Sequence, residues 1–272
     1  MNQTDHLNPK NHSSDRCANP LIILVLCAFI PQLIFAQHDP IAAGVYEWKK
    51  PSALQGKVKS SILFEGSATD MEYLQMNACS IAGGKVIEFR APENEERLLI
   101  VRSGVLVLQL NDSSFTVSKG SVALILPGDR YSLRPKVSYQ CQYYLMKYRS
   151  KNPVDRARGK NSGGSFVKKW EDIPFKPHDK GGIRNFFQRP TAMTRRFEMH
   201  VTTLNEGLRS HDPHRHHAEE IIVVIDSKTE MQIDDKLIKA KTGDVIFLAS
   251  NVSHAIRNDG KGPCTYFAFQ FE

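Results

Sequence analysis

Cysteine is scarce and unpatterned in this sequence. Of the five cysteines, Cys17 and Cys27 fall in the first 36 residues, and Cys79, Cys141 and Cys264 show no C-x-x-C spacing. Zinc-ribbon and dithiol redox chemistry are therefore not expected, and an odd count of three predicts buried thiols in strands rather than a disulfide framework. Low-complexity composition is absent as well. With 14 Pro, 17 Gly and 41% hydrophobic residues in 272, collagen-like and disordered readings are excluded, and the chain can bury one large core or two smaller ones. An excess of one charge sign is missing outside a single stretch. Between Lys147 and Lys169 eight basic residues face Asp155 alone, which accounts for the whole formal net charge of +7. That stretch carries Asn152-Pro153 and Asn161-Ser-Gly-Gly164 and reads as a solvated linker over residues 149–164, with an anion-binding arm as the alternative. It lacks interleaved aromatics, so nucleic acid is not an expected partner.

Only one long apolar run occurs. Pro20 to Ala36 follows Lys10 and Arg16 and ends in a small residue before Gln37-His38-Asp39, the pattern of a signal peptide over residues 1–36. Its length is near the lower limit for crossing a bilayer, so an uncleaved anchor is the alternative. Leu26 before Cys27 is too large for a good lipoprotein cleavage site. The expectation is cleavage near Ala36, a periplasmic or secreted location, and no stable membrane insertion after processing.

Beyond the leader the chain matches itself. At an offset of 123 residues, the separation of Gly84 from Gly207, Phe64 falls on Phe187, Met76 on Met199, Glu96 on Glu219, Gly120 on Gly243 and Cys141 on Cys264, without a gap. Two copies of one domain are implied, at 45–148 and 165–272. Each reads as short strands punctuated by Gly, Asn-Asp or Pro-Gly, such as Val105–Leu110 and Ser121–Leu126 in the first copy and Glu220–Ile225 and Asp244–Leu248 in the second. No long helical stripe competes, so the fold class is all-β, a barrel or sandwich in each copy.

The second copy concentrates histidine. His214-Arg-His216 precedes Glu220, and His254 follows the Gly243-Asp244 turn. Residues two and four apart in an extended segment share a face, so His214, His216 and Glu220 can converge while Arg215 points away, and His254 can close the set from a later strand. Three imidazoles and a carboxylate suit a divalent transition metal (Mn, Fe, Ni or Zn) with positions left open for substrate. On the strand before them, Phe197, Met199 and Val201 form one face and Arg196, Glu198 and His200 the other. That polar face is either exposed or places Glu198 and His200 beside the metal as catalytic acid/base or substrate contacts. His211 and His217 flank the ligands, and Gln232 and Phe247 are strand positions that could line the barrel.

These residues resemble the two motifs of the cupin family. Gly207, His214, His216 and Glu220 follow G-x5-H-x-H-x3,4-E-x6-G with one extra residue after the glycine and Ser227 at the final glycine. Gly243, His254 and Asn258 follow G-x5-P-x-G-x2-H-x3-N, with Ala249 and Asn251 for its Pro and Gly. Asn is tolerated where a left-handed turn is needed. The resemblance implies two tandem RmlC-like jelly-roll barrels, a bicupin, with His214, His216, Glu220 and His254 as metal ligands. In the first copy the same positions are Ala91, Glu93, Arg97 and Tyr131, so that barrel is degenerate: a scaffold or substrate-shaping wall, or a nonmetal pocket using Arg97 and Tyr131. The layout is similar to ureidoglycine aminohydrolase-type bicupins, although the ligand order differs from their Glu, His, His and Gln. Fold does not name a reaction. The resemblance implies a metalloenzyme isomerising or hydrolysing a small oxygen-rich molecule, a sugar acid or ureido-type compound. An Fe-dependent dioxygenase, a noncatalytic metal- or ligand-binding cupin and an anion- or polysaccharide-binding protein acting through the linker are the alternatives. A small-molecule substrate is the expected partner, and homodimerisation is left open.

Overall fold

The computed structural model describes residues 38–55, 58–84, 86–136 and 140–272; the leader reading of residues 1–36 lies outside them. Strands come first: β1 (Gly44–Tyr46), β2 (Ala53–Gln55), β3 (Val58–Gly66), β4 (Met71–Ile81), β5 (Ile87–Arg90), β6 (Glu96–Ser103), β7 (Leu106–Leu110), β8 (Ser113–Val117), β9 (Val122–Ile125), β10 (Arg130–Pro135) and β11 (Cys141–Ser150). A short helix α1 (Arg156–Asn161) leads to β12 (Phe166–Lys168), β13 (Lys176–His178), β14 (Gly181–Arg189), β15 (Phe197–Leu204), β16 (Glu219–Asp226), β17 (Lys228–Ile233), β18 (Lys236–Lys241), β19 (Val245–Leu248), β20 (His254–Asn258) and β21 (Cys264–Phe271). The repeat is kept strand for strand except at β5. β3, β6 and β9 reappear as β14, β16 and β19 at the sequence offset, and even the register shift at Ile62/Phe64 recurs at Asn185/Phe187.

Each copy closes a seven-stranded sheet over a smaller one. Alternate residues of the large sheets point in opposite directions. In the second copy Ile222, Val224, Ile246, Leu248 and Tyr266 fill the space beneath the three-stranded sheet β18-β17-β20. Their neighbours Ile221, Val223, Phe247, Phe267 and Phe269 share one core with Phe64, Met76, Leu98, Leu124 and Met146 of the first copy. Both faces of these strands are therefore buried, which is why Ile221-Ile-Val-Val224 reads as a continuous apolar run instead of alternating. Cys79, Cys141 and Cys264 are buried free thiols.

Three features depart from the sequence expectation. The copies exchange edge strands: β1 pairs with β19 of the second barrel, and β12 pairs with β9 of the first. The expected boundaries at 45–148 and 165–272 thus assign β1 and β12 to the wrong sheets, because an internal repeat reports equivalence and not which edge a strand joins. Nor is the basic stretch wholly solvated. Asp155 caps α1, Arg158 donates to the carbonyls of Thr191 (2.7 Å) and Ala192 (3.1 Å), and a Cβ on Gly159 would meet that of Ala192 at 2.9 Å. Finally, β5 has no second counterpart. Pro213, lacking an N–H, falls where the ladder would run, and two isolated bridges remain, Arg209 with Arg257 and His214 with His254.

Two buried glutamates at repeat-equivalent positions lash each barrel to a loop of the other. Glu96 accepts from the Ala192 amide (2.7 Å), and Glu219 accepts from the Thr69 amide, the position equivalent to Ala192. Glu96 also takes the Tyr148 hydroxyl, whereas the residue in that register in the second copy is Phe271 and the second oxygen of Glu219 has no partner.

Candidate metal centre

The lost strand frees the loop that carries the histidines. His214 and His254 exchange both backbone hydrogen bonds (His214 N to His254 O, 3.2 Å; His254 N to His214 O, 3.0 Å), and the Asn251 amide donates to His216 O at 2.8 Å. Pinned in this way, the three rings face one another with centroids 4.7 to 5.2 Å apart, and one nitrogen of each lies within 4.8 Å of the others. The convergence comes from a bridged loop rather than from the strand pair that the H-x-H spacing implied. Asn251 and Ser227, which stand where the family motifs have glycine, both adopt left-handed φ (61° and 70°). The turns survive without glycine.

Tautomers follow from the backbone. His216 Nδ1 lies 2.8 Å from Ala218 O and His254 Nδ1 2.9 Å from Val252 O, contacts that a protonated Nδ1 satisfies while Nε2 turns its lone pair inward. Glu220 Oε2 sits 3.3 Å from Nε2 of both His216 and His254. Burial alone would raise the Glu220 carboxyl, but the two imidazoles outweigh it and hold its pKa at about 2. His254 is 2% exposed, and its Nε2 makes no aligned hydrogen bond. A buried, unpartnered nitrogen beside an ionised carboxylate and two further imidazoles fits a divalent cation. Exposure rises from His254 and Glu220 through His216 to His214, so the set opens to solvent on one side.

The surrounding strands add groups in rows. Glu198, Gln270 and Glu220 lie side by side across β15, β21 and β16, and the next row inward is His200, Ala268 and Ile222. Because Phe197, Met199 and Val201 point into the shared core, the face bearing Glu198 and His200 is the barrel interior rather than an outer surface. His200 is held below the usual imidazole pKa by burial, against the pull of Glu220 and Glu198, and pairs with Ala268 in the ladder. Glu198 is engaged by Arg196 at 2.8 Å. Gln270 went unnoticed in the sequence. Its Nε2 lies 3.2 Å from Glu220 Oε2 and 3.4 Å from His216 Nε2, with Arg196 on its Oε1 at 3.4 Å. Inward parity of the last strand, a Gln alternating with Ala268 and Tyr266, was the signal available.

Other flanking positions separate from the set. The His211 ring meets His214 edge-on at 4.2 Å from an exposed loop, and His217 turns away toward Asp70 (3.5 Å). Gln232 faces outward on β17, and Phe247 points into the core between the barrels, so neither lines the site. Both faces of β19 are apolar, and sequence parity could not tell them apart.

A β-barrel with an inward histidine triad and adjacent carboxylate is the arrangement of cupins, which commonly bind divalent metals. Residues 200–269 match the Cupin domain family. Solved structures of similar fold include AerE from Microcystis aeruginosa (14% identity, 84% of this chain and 98% of that one, TM-score 0.63) and protein Ylba from E. coli (16%, 82% and 87%, 0.63). Oxalate decarboxylase from Lactobacillus farciminis is a third (12%, 86% and 87%, 0.63). No curated protein sequence matches the chain. The second copy thus carries a match to the Cupin domain, and the chain as a whole has the two-barrel fold of these solved structures.

Proposed function

We propose that this bicupin is an exported metalloenzyme that isomerises or hydrolyses a small oxygen-rich molecule, of the sugar-acid or ureido class, in its second barrel. The observation that carries this reading is the placement of His200, one row inward from Glu220 on the interior face of the same barrel. His214, His216, Glu220 and His254 would hold Mn, Fe, Ni or Zn, which as a Lewis acid would polarise a bound carbonyl or hydroxyl oxygen. His200, kept neutral by burial, is equipped to take a proton from the substrate and return it. Arg196 fixes the Gln270 amide, which in turn orients Glu220. The exposed side of His214 gives substrate its way in, and the oxalate decarboxylases of similar fold are named for a small carboxylate substrate. Export rests on the Pro20–Ala36 leader pattern.

Metal analysis of the mature protein beside a His214→Ala/His254→Ala variant tests the site, with one transition metal per chain expected and its loss in the variant. Loading with Mn and measuring water-proton relaxation tests catalysis, because an enzyme needs a solvent-exchangeable position. Enhanced relaxation, and deuterium incorporation from D2O into sugar acids that disappears in His200→Gln with metal retained, are the expected results. A metal-free protein after reconstitution, or a loaded site that leaves water relaxation unchanged, would overturn the reading.

A further inference from the structure

The first barrel holds the same row of interior positions with its charge inverted. Where the second has Glu198, Gln270 and Glu220, the first has Gln75, Lys147 and Arg97 directly paired across β4, β11 and β6. Two carboxylates become two cations. Arg97 sits as deep as its counterpart, with its side chain 13% exposed against 9% for Glu220. Like charges directly opposite on one sheet face destabilise a barrel unless something neutralises them. Arg97 is answered by buried Glu95 at 2.8 Å. Lys147 is not: its Nζ bonds only the neutral Gln75 amide oxygen at 3.1 Å, and among the described residues no carboxylate lies within 4.0 Å of it. Glu65 bonds Gln75 Nε2 at 2.7 Å instead.

Tyr131, at the position equivalent to His254, completes the arrangement. Its hydroxyl accepts from Arg97 at 2.9 Å and retains its own proton to donate. Burial pushes its pKa up, so that proton stays in place. The Lys147 charge acts on the Cys79 thiol and the Arg97 charge on the Tyr143 hydroxyl, both barrel-interior groups. Lys147 is thus the direct ladder partner of Arg97, and Arg97 is bonded to the Tyr131 hydroxyl, at positions equivalent to Gln270, Glu220 and His254 of the second barrel.

We propose that the interior of the first barrel binds a small carboxylate anion through Lys147, Arg97 and Tyr131, a second ligand site that needs no metal. Charge-assisted hydrogen bonds to a carboxylate are the strong kind, and the anion removes the like-charge pairing of Lys147 with Arg97. The site rests on the first barrel alone, so its failure and that of the metalloenzyme reading are separate results.

The test titrates acetate and oxalate by calorimetry, at low salt, into the full chain stripped of metal. The same titrations are run on Lys147→Met, Arg97→Met and the His214→Ala/His254→Ala variant. Binding at one site per chain is expected, weakened about tenfold or more in Lys147→Met, unchanged in the histidine variant, and with metal uptake by Lys147→Met intact. Arg97→Met leaves Glu95 buried and unpaired, so Lys147→Met, which strands no charge, is the deciding variant. No heat with either anion, binding as tight in Lys147→Met, or binding lost in the histidine variant would overturn the proposal.

Discussion

Replacing Tyr148 by Phe tests the lashing between the barrels, because the second copy already carries Phe271 in the same register. The change removes one O–H donor from Glu96, a carboxyl with no solvent exposure whose other partner is the Ala192 amide at 2.7 Å. A hydrogen bond to a buried charged acceptor contributes about 1.5–3 kcal/mol, and the lost hydroxyl leaves little cavity. For a folded unit of this size that corresponds to a fall in Tm of about 3–12 °C at pH 7. Burial raises the Glu96 pKa in the folded state, so its ionised form becomes a burden as pH rises through the unfolded carboxyl value near ~4.3. Tyr148 relieves that burden, so the deficit of Tyr148→Phe grows as pH rises through the raised folded-state value and narrows in acid, where Glu96 is protonated in both proteins. Phe271→Tyr is the mirror experiment: it brings a hydroxyl to the unpartnered oxygen of Glu219 and should stabilise by ~1 kcal/mol. Thermal melts by circular dichroism at pH 4 and pH 7 read both. An unchanged Tm in Tyr148→Phe, or a Phe271→Tyr variant that falls as far as Tyr148→Phe, would refute the argument.

Gln270→Leu should weaken metal binding by about 10- to 100-fold, the usual effect of removing a group that orients a ligand, with the fold unchanged by circular dichroism; metal titration checks it. Metal retention should fail as pH drops through the imidazole range and not the carboxylate range, because Glu220 stays ionised down to about 2 while the imidazoles take up protons. Dialysis at stepped pH reads this, and a site still loaded at pH 4 contradicts it. Deleting residues 37–48 removes β1 and the Trp48 amide that bonds Asp244 at 3.0 Å. Hydrogen exchange should then rise in β19 of the second barrel, and in the first barrel at Ser67, whose amide loses the Asp39 carbonyl.

Much of the architecture was legible because the repeat runs without a gap. Equal spacing marks β6 and β16, or β9 and β19, as equivalents, and subtraction at the same spacing names Arg97 and Tyr131 as the counterparts of Glu220 and His254. What stayed hidden depends on pairing between strands distant in sequence. The exchange of β1 and β12 is a choice between two similar edges, and similarity cannot say which is taken. Gln270 joins the site only through its register with Glu220 and Glu198. Burial on both faces of the large sheets erased the alternation that would have turned Phe247 away from the site and Glu198 and His200 into it.

The strand exchange also bears on how such a chain can evolve. A copy without the candidate ligands would ordinarily be free to drift or be deleted, yet here it supplies the bed for β12 while its own leading strand β1 shields an edge of the histidine-bearing copy. Severing the chain between residues 149 and 164 would give two fragments, each bearing a strand that belongs in its sibling. They would be expected to reassemble when mixed and to aggregate when kept apart, since each alone exposes an unpaired edge. Selection on the histidines is thereby extended to a partner that has none.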